Sequence, residues 1–231
     1  MGHAYARLWT GRVNETPKDK TALRDAASII LLRDGSAGPC VLMGQRGAEA
    51  AFMPNKFVFP GGAVDQSDGD VSFARPLRPD VGQALAGQST RTPEALAAAA
   101  LRELAEETGQ VIGIPSEGAA PWPGFAGYGP DGDPLTFVFR AITPPGRPRR
   151  FDARFFLAPA SAVVTELDDF SAAEDELSHL QWVPLAEARA LDMPFITEVV
   201  LAEVAAIAEG RDVPGVPFFD NSGDTSVFRR L

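Results

Sequence analysis

Apolar residues along this chain cluster into short runs and one longer periodic block, and the two patterns predict different elements. Residues 26–32 (AASIILL) form a compact apolar run of strand length, closed by the turn-like Arg33-Asp34-Gly35. A second strand is expected at 40–44. A third, FVF at 57–59, ends abruptly at Pro60-Gly61-Gly62, because proline lacks a ladder donor and glycine accepts turn backbone. Further strands are predicted at 135–142 and 151–157, separated by the Pro- and Arg-rich turn PPGRPRR, with a last strand edge at 181–184.

The periodic block at 93–109 reads as a helix. Thr92 can cap it, Pro93 suits its first position, and Gly109 is a natural stop. Residues 185–191 predict a short helix, and 194–209 a longer amphipathic one ending at Gly210. Between these elements, 66–92 is rich in Asp, Gly, Pro and Ser without a sustained period, and reads as an insertion loop with a short helix near 81–86. The chain therefore divides into a polar lead-in at 1–25, one domain at 26–210 carrying the 66–92 insertion, and a tail at 211–231 with no obvious regularity.

Composition narrows the function classes. The 231 residues suffice for one sizeable core, and a net charge of −10 argues against a broad electrostatic grip on nucleic acid or an anionic membrane. A polyanionic substrate must then be met locally. The one cysteine, Cys40, has no partner for an internal disulfide, and two histidines, His3 and His179, are too few and too far apart for a zinc site. A reduced, cytoplasmic setting fits best. The N-terminus lacks the apolar stretch of a secretory signal, and no run approaches the roughly 20 apolar residues that span a bilayer.

Chemistry concentrates in the helix. At 100° per residue, Glu103, Glu106 and Glu107 project within one sector, with Arg102 four residues before Glu106, where it can orient a carboxylate. Neighbouring like charges on a helix cost about 0.2–0.5 kcal/mol per pair, so the arrangement needs a compensating function or plain solvation. Hard divalent cations supply one, since Mg²⁺ takes a few carboxylates, waters and phosphate oxygens.

The run RELAEETG, with FPGG upstream, resembles the Nudix signature G-x5-E-x7-R-E-U-x-E-E-x-G-U, in which U is apolar. The string R-E-U-x-E-E-x-G arises by chance in a chain this size about once in ten thousand, which sets it apart from an ordinary acidic helix face. Two departures stand out. Here 31 residues separate Gly62 from Glu94, against five in the family pattern, so the insertion splits the box; and the last apolar position is Gln110. Loop-closure cost grows slowly with length, so the helix and its site can survive the split.

The resemblance implies an α+β fold, a Nudix-type α/β/α sandwich with a mixed β-sheet. It implies that Glu103, Glu106 and Glu107 bind metal, Mg²⁺ with Mn²⁺ as a substitute, that the Gly61 carbonyl can complete the metal's shell, and that Arg102 orients the carboxylates. Glu94 matches the first glutamate of the box, but it also sits where the positive end of a helix favours an acid anyway. The general base is a box glutamate or a downstream loop acid; Glu176, six residues before Trp182, is one candidate and Glu174 another, each set against a plain surface acid. Arg46 stands where the family often places a phosphate-contacting arginine, and Arg147, Arg149, Arg150 and Arg154 form a further candidate contact or a solvated turn.

The implied activity is hydrolysis of a phosphoanhydride in a nucleoside-diphosphate-linked small molecule, with no nucleic acid or membrane partner and with homodimerisation open. The split box, FVFPGGAVD and RRFDARFFLA resemble the subgroup containing peroxisomal-type coenzyme A diphosphatases, which points to coenzyme A or an acyl-coenzyme A. The spacing from Arg46 to FPGG is kept, whereas Ala51 and Asn55 replace an arginine and a glycine of the coenzyme A pattern. Two alternatives share the fold. One is a non-catalytic ligand-binding or regulatory module; the other is an isoprenyl diphosphate isomerase, for which Cys40 is the lone thiol.

Overall fold

The computed structural model describes residues 22–231 except 51, 88, 212 and 213; most of the expected lead-in, residues 1–21, lies outside the described residues. Chain order is β1 (Leu23–Gly35), β2 (Gly38–Arg46), β3 (Phe57–Val58), β4 (Gly61–Ala63), α1 (Pro79–Ala86), α2 (Pro93–Thr108), β5 (Gly113–Pro115) and β6 (Tyr128–Pro130), followed by β7 (Thr136–Ile142), β8 (Arg150–Pro159), β9 (Leu177–Pro184), α3 (Phe195–Ala208), β10 (Pro217–Asp220) and β11 (Val227–Arg230).

One mixed sheet organises these elements in the order β11-β10-β7-β8-β1-β2-β3, with β4 also on β1 and β9 on β2, while β5 and β6 pair separately. The β1–β8 and β7–β10 pairs are parallel and the others antiparallel. At the centre, Ala27, Ile29 and Leu31 of β1 join the core on one face and Ile30 joins the core on the other, none more than 1% exposed. A strand covered on both faces has this near-continuous apolar run.

On one face α2 lays Leu96, Leu101 and Leu104 against Ile29, Leu31 and Phe156. On the other, α3 supplies Val200, Leu201 and Val204 to a cluster with Val41 and Phe139. The result is the expected α+β sandwich, helix against sheet against helix. Among the described residues, no helix is long and apolar enough to cross a membrane.

Two local readings change. Residues 185–191 form turns with a short 3-10 segment at Ala188–Ala190. In 211–231, Pro217–Asp220 and Val227–Arg230 are strands that extend the sheet from β7. Four-residue strands leave almost no periodic trace; β10 is fixed by the edge of β7 and by Phe218, 1% exposed beneath the Arg140 guanidinium at 4.4 Å. The insertion does carry the expected short helix, α1, whose Val81 and Leu85 enter the core beside α2.

Candidate active site

Helix α2 begins where its sequence says it should. The Thr92 side chain accepts a hydrogen bond from the Ala95 N–H at 3.2 Å, Pro93 fills the first turn, and Gly109 ends the helix in the left-handed conformation, φ 72°. Four consecutive alanines, Ala97–Ala100, are wholly buried, so the helix packs closely on β1. That closeness draws its acidic C-terminal half inward. Glu103 and Glu107 are 9% and 2% exposed, and Arg102 is 8% exposed beside them.

Arg102 organises the group. Its Nη1 donates to Glu103 Oε1 at 2.9 Å and to Glu106 Oε2 at 2.8 Å, while Nε and Nη2 donate to the two oxygens of Asp68 at 2.9 and 3.1 Å. Burial works against the guanidinium charge, but the bonds to Asp68 and the fields of Glu103, Asp68 and Glu106 outweigh it and raise its pKa. Glu94 is exposed at the start of the helix and takes no part. Asp68 is instead the buried acid that meets the arginine, and it comes from the first residues of the insertion. No spacing rule locates it; the only sequence trace is Asp65-x-x-Asp68, which folds as a capping box around a 3-10 turn.

Two glycines bring the FPGG turn against the helix. The Gly61 N–H donates to Glu107 Oε2 at 2.7 Å, and a β-carbon on Gly62 would stand 2.4 Å from Glu103 Oε1. Only a residue without a side chain permits that approach. The other Glu107 oxygen, Oε1, is buried without a hydrogen-bond partner among the described residues. Burial pushes the Glu103 carboxyl up to about 7, against the field and hydrogen bond of Arg102 and with the fields of Glu106 and Glu176. Burial likewise raises Glu107 well above the ordinary carboxylate range, the Gly61 hydrogen bond opposing it. Among the described residues, no three acidic, His or Cys side chains already form a metal cage, since Arg102 and Gly61 hold these oxygens.

A cleft of about 610 Å³ opens from Gly61, Gly62 and Glu103. Pairing of β2 with β9 places Arg46 opposite Leu177, so the adjacent Glu176 meets Arg46 Nη2 at 2.7 Å at the mouth. Arg46 Nε is buried without a partner among the described residues. Glu174 lies outside the cleft lining, tied by its backbone N–H to the Glu106 carbonyl. The same cleft is lined by Phe52 and Phe151, which meet edge to face at 5.2 Å, and by Phe155, Phe195 and Phe219. The arginines of the β7–β8 turn divide: Arg154 pairs with Asp25 and Asp152 beneath the surface and Arg150 reaches the Thr143 carbonyl, whereas Arg147 and Arg149 line the cleft. Cys40 is buried and absent from this lining.

A family model described as NUDIX domain matches residues 22–204. The crystal structure of a NUDIX hydrolase from Alicyclobacillus acidocaldarius is 30% identical, with a TM-score of 0.61, covering 80% of this chain and 92% of that one. The NUDIX domain of Shewanella oneidensis NrtR, solved with ADP ribose, is 15% identical with a TM-score of 0.50 over 84% of this chain and 94% of its own, a likeness of fold alone. A Caenorhabditis elegans protein named nudix hydrolase 7 is 51% identical over 51 residues, which are 22% of this chain and 17% of that protein. With the family model spanning most of the chain and a solved relative covered nearly end to end, this chain belongs to the Nudix hydrolase family.

Proposed function

We propose that this chain hydrolyses the phosphoanhydride of a nucleoside-diphosphate-linked small molecule with Mg²⁺, which Mn²⁺ can replace. The observation that carries the reading is Glu107, whose Oε1 is buried without a partner among the described residues, on a helix end that also buries Glu103 and meets a two-glycine turn at a cleft. Two carboxylates favoured as neutral acids by burial gain a partner when a cation arrives, and all-oxygen donors suit a hard one. Glu103, Glu106, Glu107 and the Gly61 carbonyl are the residues that would hold it. Bound there, the cation neutralises diphosphate charge and favours deprotonation of the attacking water.

The chain's own residues supply the rest. Arg102, itself fixed by Asp68, orients Glu103 and Glu106. Arg46 offers its unpartnered Nε to a phosphate oxygen. Glu176, half-exposed at the mouth and beside Arg46, takes the proton of the water as it attacks phosphorus. The P–O bond to the bridging oxygen then breaks and two phosphate-bearing fragments leave. Coenzyme A or an acyl-coenzyme A is the proposed substrate, consistent with a cleft that is aromatic beyond its polar mouth. In this reading residues 66–92 split the Nudix box within a domain over 26–210, and give Asp68 back to it.

The test is incubation with Mg²⁺ and coenzyme A, acyl-coenzyme A, NADH, ADP-ribose, dinucleoside polyphosphates and nucleoside triphosphates, products being identified by mass. Cleavage between the two phosphorus atoms, abolished by chelator and by Glu107→Gln, is the expected result. Binding without turnover would instead favour a regulatory module, and hydrolysis indifferent to chelator would remove the carboxylates from the mechanism.

A further inference from the structure

The acidic mouth of the cleft has a basic counterpart at its other end. Arg24, Arg147 and Arg149 line that end, and none of the three makes a hydrogen bond or ion pair among the described residues. Most other arginines are engaged: Arg33, Arg46, Arg75, Arg91, Arg102 and Arg154 all have carboxylate partners. In a chain of net charge −10, three arginines left free on one concave wall are a local exception.

The topology explains how they meet. Arg147 and Arg149 sit on the β7–β8 hairpin, which turns at Gly146 with φ 82°. Arg24 lies in the adjoining strand, paired in register with Phe151 of β8. Along β1, Arg24, Ala26 and Ser28 alternate onto the cleft, and Ser28 pairs with Gly61 at the acidic mouth. Four residues of strand put the Arg24 backbone about 13 Å from that pairing. Phe155 is level with Ser28 and Phe151 with Arg24, so the aromatic part of the lining, with Phe52 against Phe151, runs from the mouth to the basic end. The acids of the lining, Glu103 and Glu176, are at the mouth.

We infer that Arg24, Arg147 and Arg149 form an anion subsite that selects substrates carrying a phosphate monoester on the nucleoside, in addition to the diphosphate that is cleaved. The spacing accommodates a nucleoside along the wall that runs from Phe155 to Phe151. Guanidinium forks match phosphate oxygens in pairs, and a dianionic monoester engages several of them at once where a hydroxyl offers a single uncharged oxygen. This inference rests on the proposed hydrolase reading and deepens it by naming a substrate class.

Probe pairs that differ by that one group test it. With coenzyme A against dephospho-coenzyme A, and NADPH against NADH, the expected kcat/KM ratio favours the monoester-bearing partner by about tenfold or more, carried by KM. In Arg147→Ala/Arg149→Ala the ratio falls towards one. Arg189→Ala, which removes an exposed charge away from the cleft, keeps it. Calorimetry of adenosine 3′,5′-bisphosphate against AMP gives the same comparison without turnover, the bisphosphate binding about tenfold tighter to the unaltered protein and equally to the double variant. Turnover of either pair with ratios near one, together with equal binding, would overturn the subsite and leave the hydrolase standing. No hydrolysis of any probe, with the binding preference intact, would overturn the hydrolase and leave the subsite.

Discussion

Glu107 divides its two oxygens between opposite surroundings: one accepts the Gly61 amide at 2.7 Å, the other is buried with no donor among the described residues. Glu107→Gln keeps the shape and removes the charge. Hydrolysis is expected to fall on the order of a hundredfold or more, while melting of the cation-free protein stays level or rises, because an ionised carboxylate is costly there. Equal loss of both would make Glu107 a folding residue only. Glu103 sets a pH dependence. Burial raises its pKa from 4.5 to about 7, so the folded, cation-free protein holds this proton more tightly than the unfolded chain. That stabilisation is complete below 4.5 and is lost as pH rises through about 7. Cation-free melting temperature should therefore drop across this window, and added Mg²⁺, which competes with the proton, should stabilise more at its upper end. A Mg²⁺ effect that shrinks with rising pH would contradict it. Asp68→Asn takes a carboxylate from buried Arg102, and about 3 kcal/mol of stability is expected to go with it in urea unfolding, along with activity.

At the scale of elements, α2 and the FPGG turn act as one device. Thr92→Ala removes a cap at the far end of the helix from the carboxylates and should cost about 1 kcal/mol by denaturant midpoint, with kcat retained. Gly62→Ala works the other way. Its new β-carbon meets the end of the Glu103 side chain, which can swing aside, so the fold is expected to persist while hydrolysis drops sharply. Circular dichroism with kinetics separates the two outcomes, and a fully active Gly62→Ala protein would show that Glu103 has freedom to spare. The insertion behaves as part of this device: its start supplies Asp68 and its helix α1 packs Val81 and Leu85 into the core.

For the whole molecule, the sheet separates two jobs. One face, under α2, carries the carboxylates; the other, with α3 and the β10–β11 edge, helps wall the cleft through Phe195, Ile196 and Phe219. A cation that binds only the folded chain raises global stability by mass action, about 2.7 kcal/mol at a hundred times its dissociation constant. Thermal melts with Mg²⁺ or Mn²⁺ should therefore move upward in a concentration-dependent way, and Glu107→Gln should blunt the response. A melt equally insensitive to both ions in both proteins would count against a cation at this site.

How much of this was legible depends on how local each signal is. The apolar run of β1, the capped and glycine-stopped helix α2, and the RELAEETG series are written in consecutive residues, since one helical turn or one strand is enough to state them. They determined the fold class and brought Arg102, Glu103, Glu106 and Glu107 together before any tertiary contact. Tertiary packing decided the rest. It brought Asp68 onto Arg102 as its buried acid, set Glu176 rather than Glu174 beside Arg46, recruited Pro217–Asp220 to the sheet, and sorted four neighbouring arginines into two structural and two cleft-facing. The reason is physical: burial and the fields between charges depend on distances through space, and residues 34 apart in sequence, as Asp68 and Arg102 are, become neighbours only when the chain has folded.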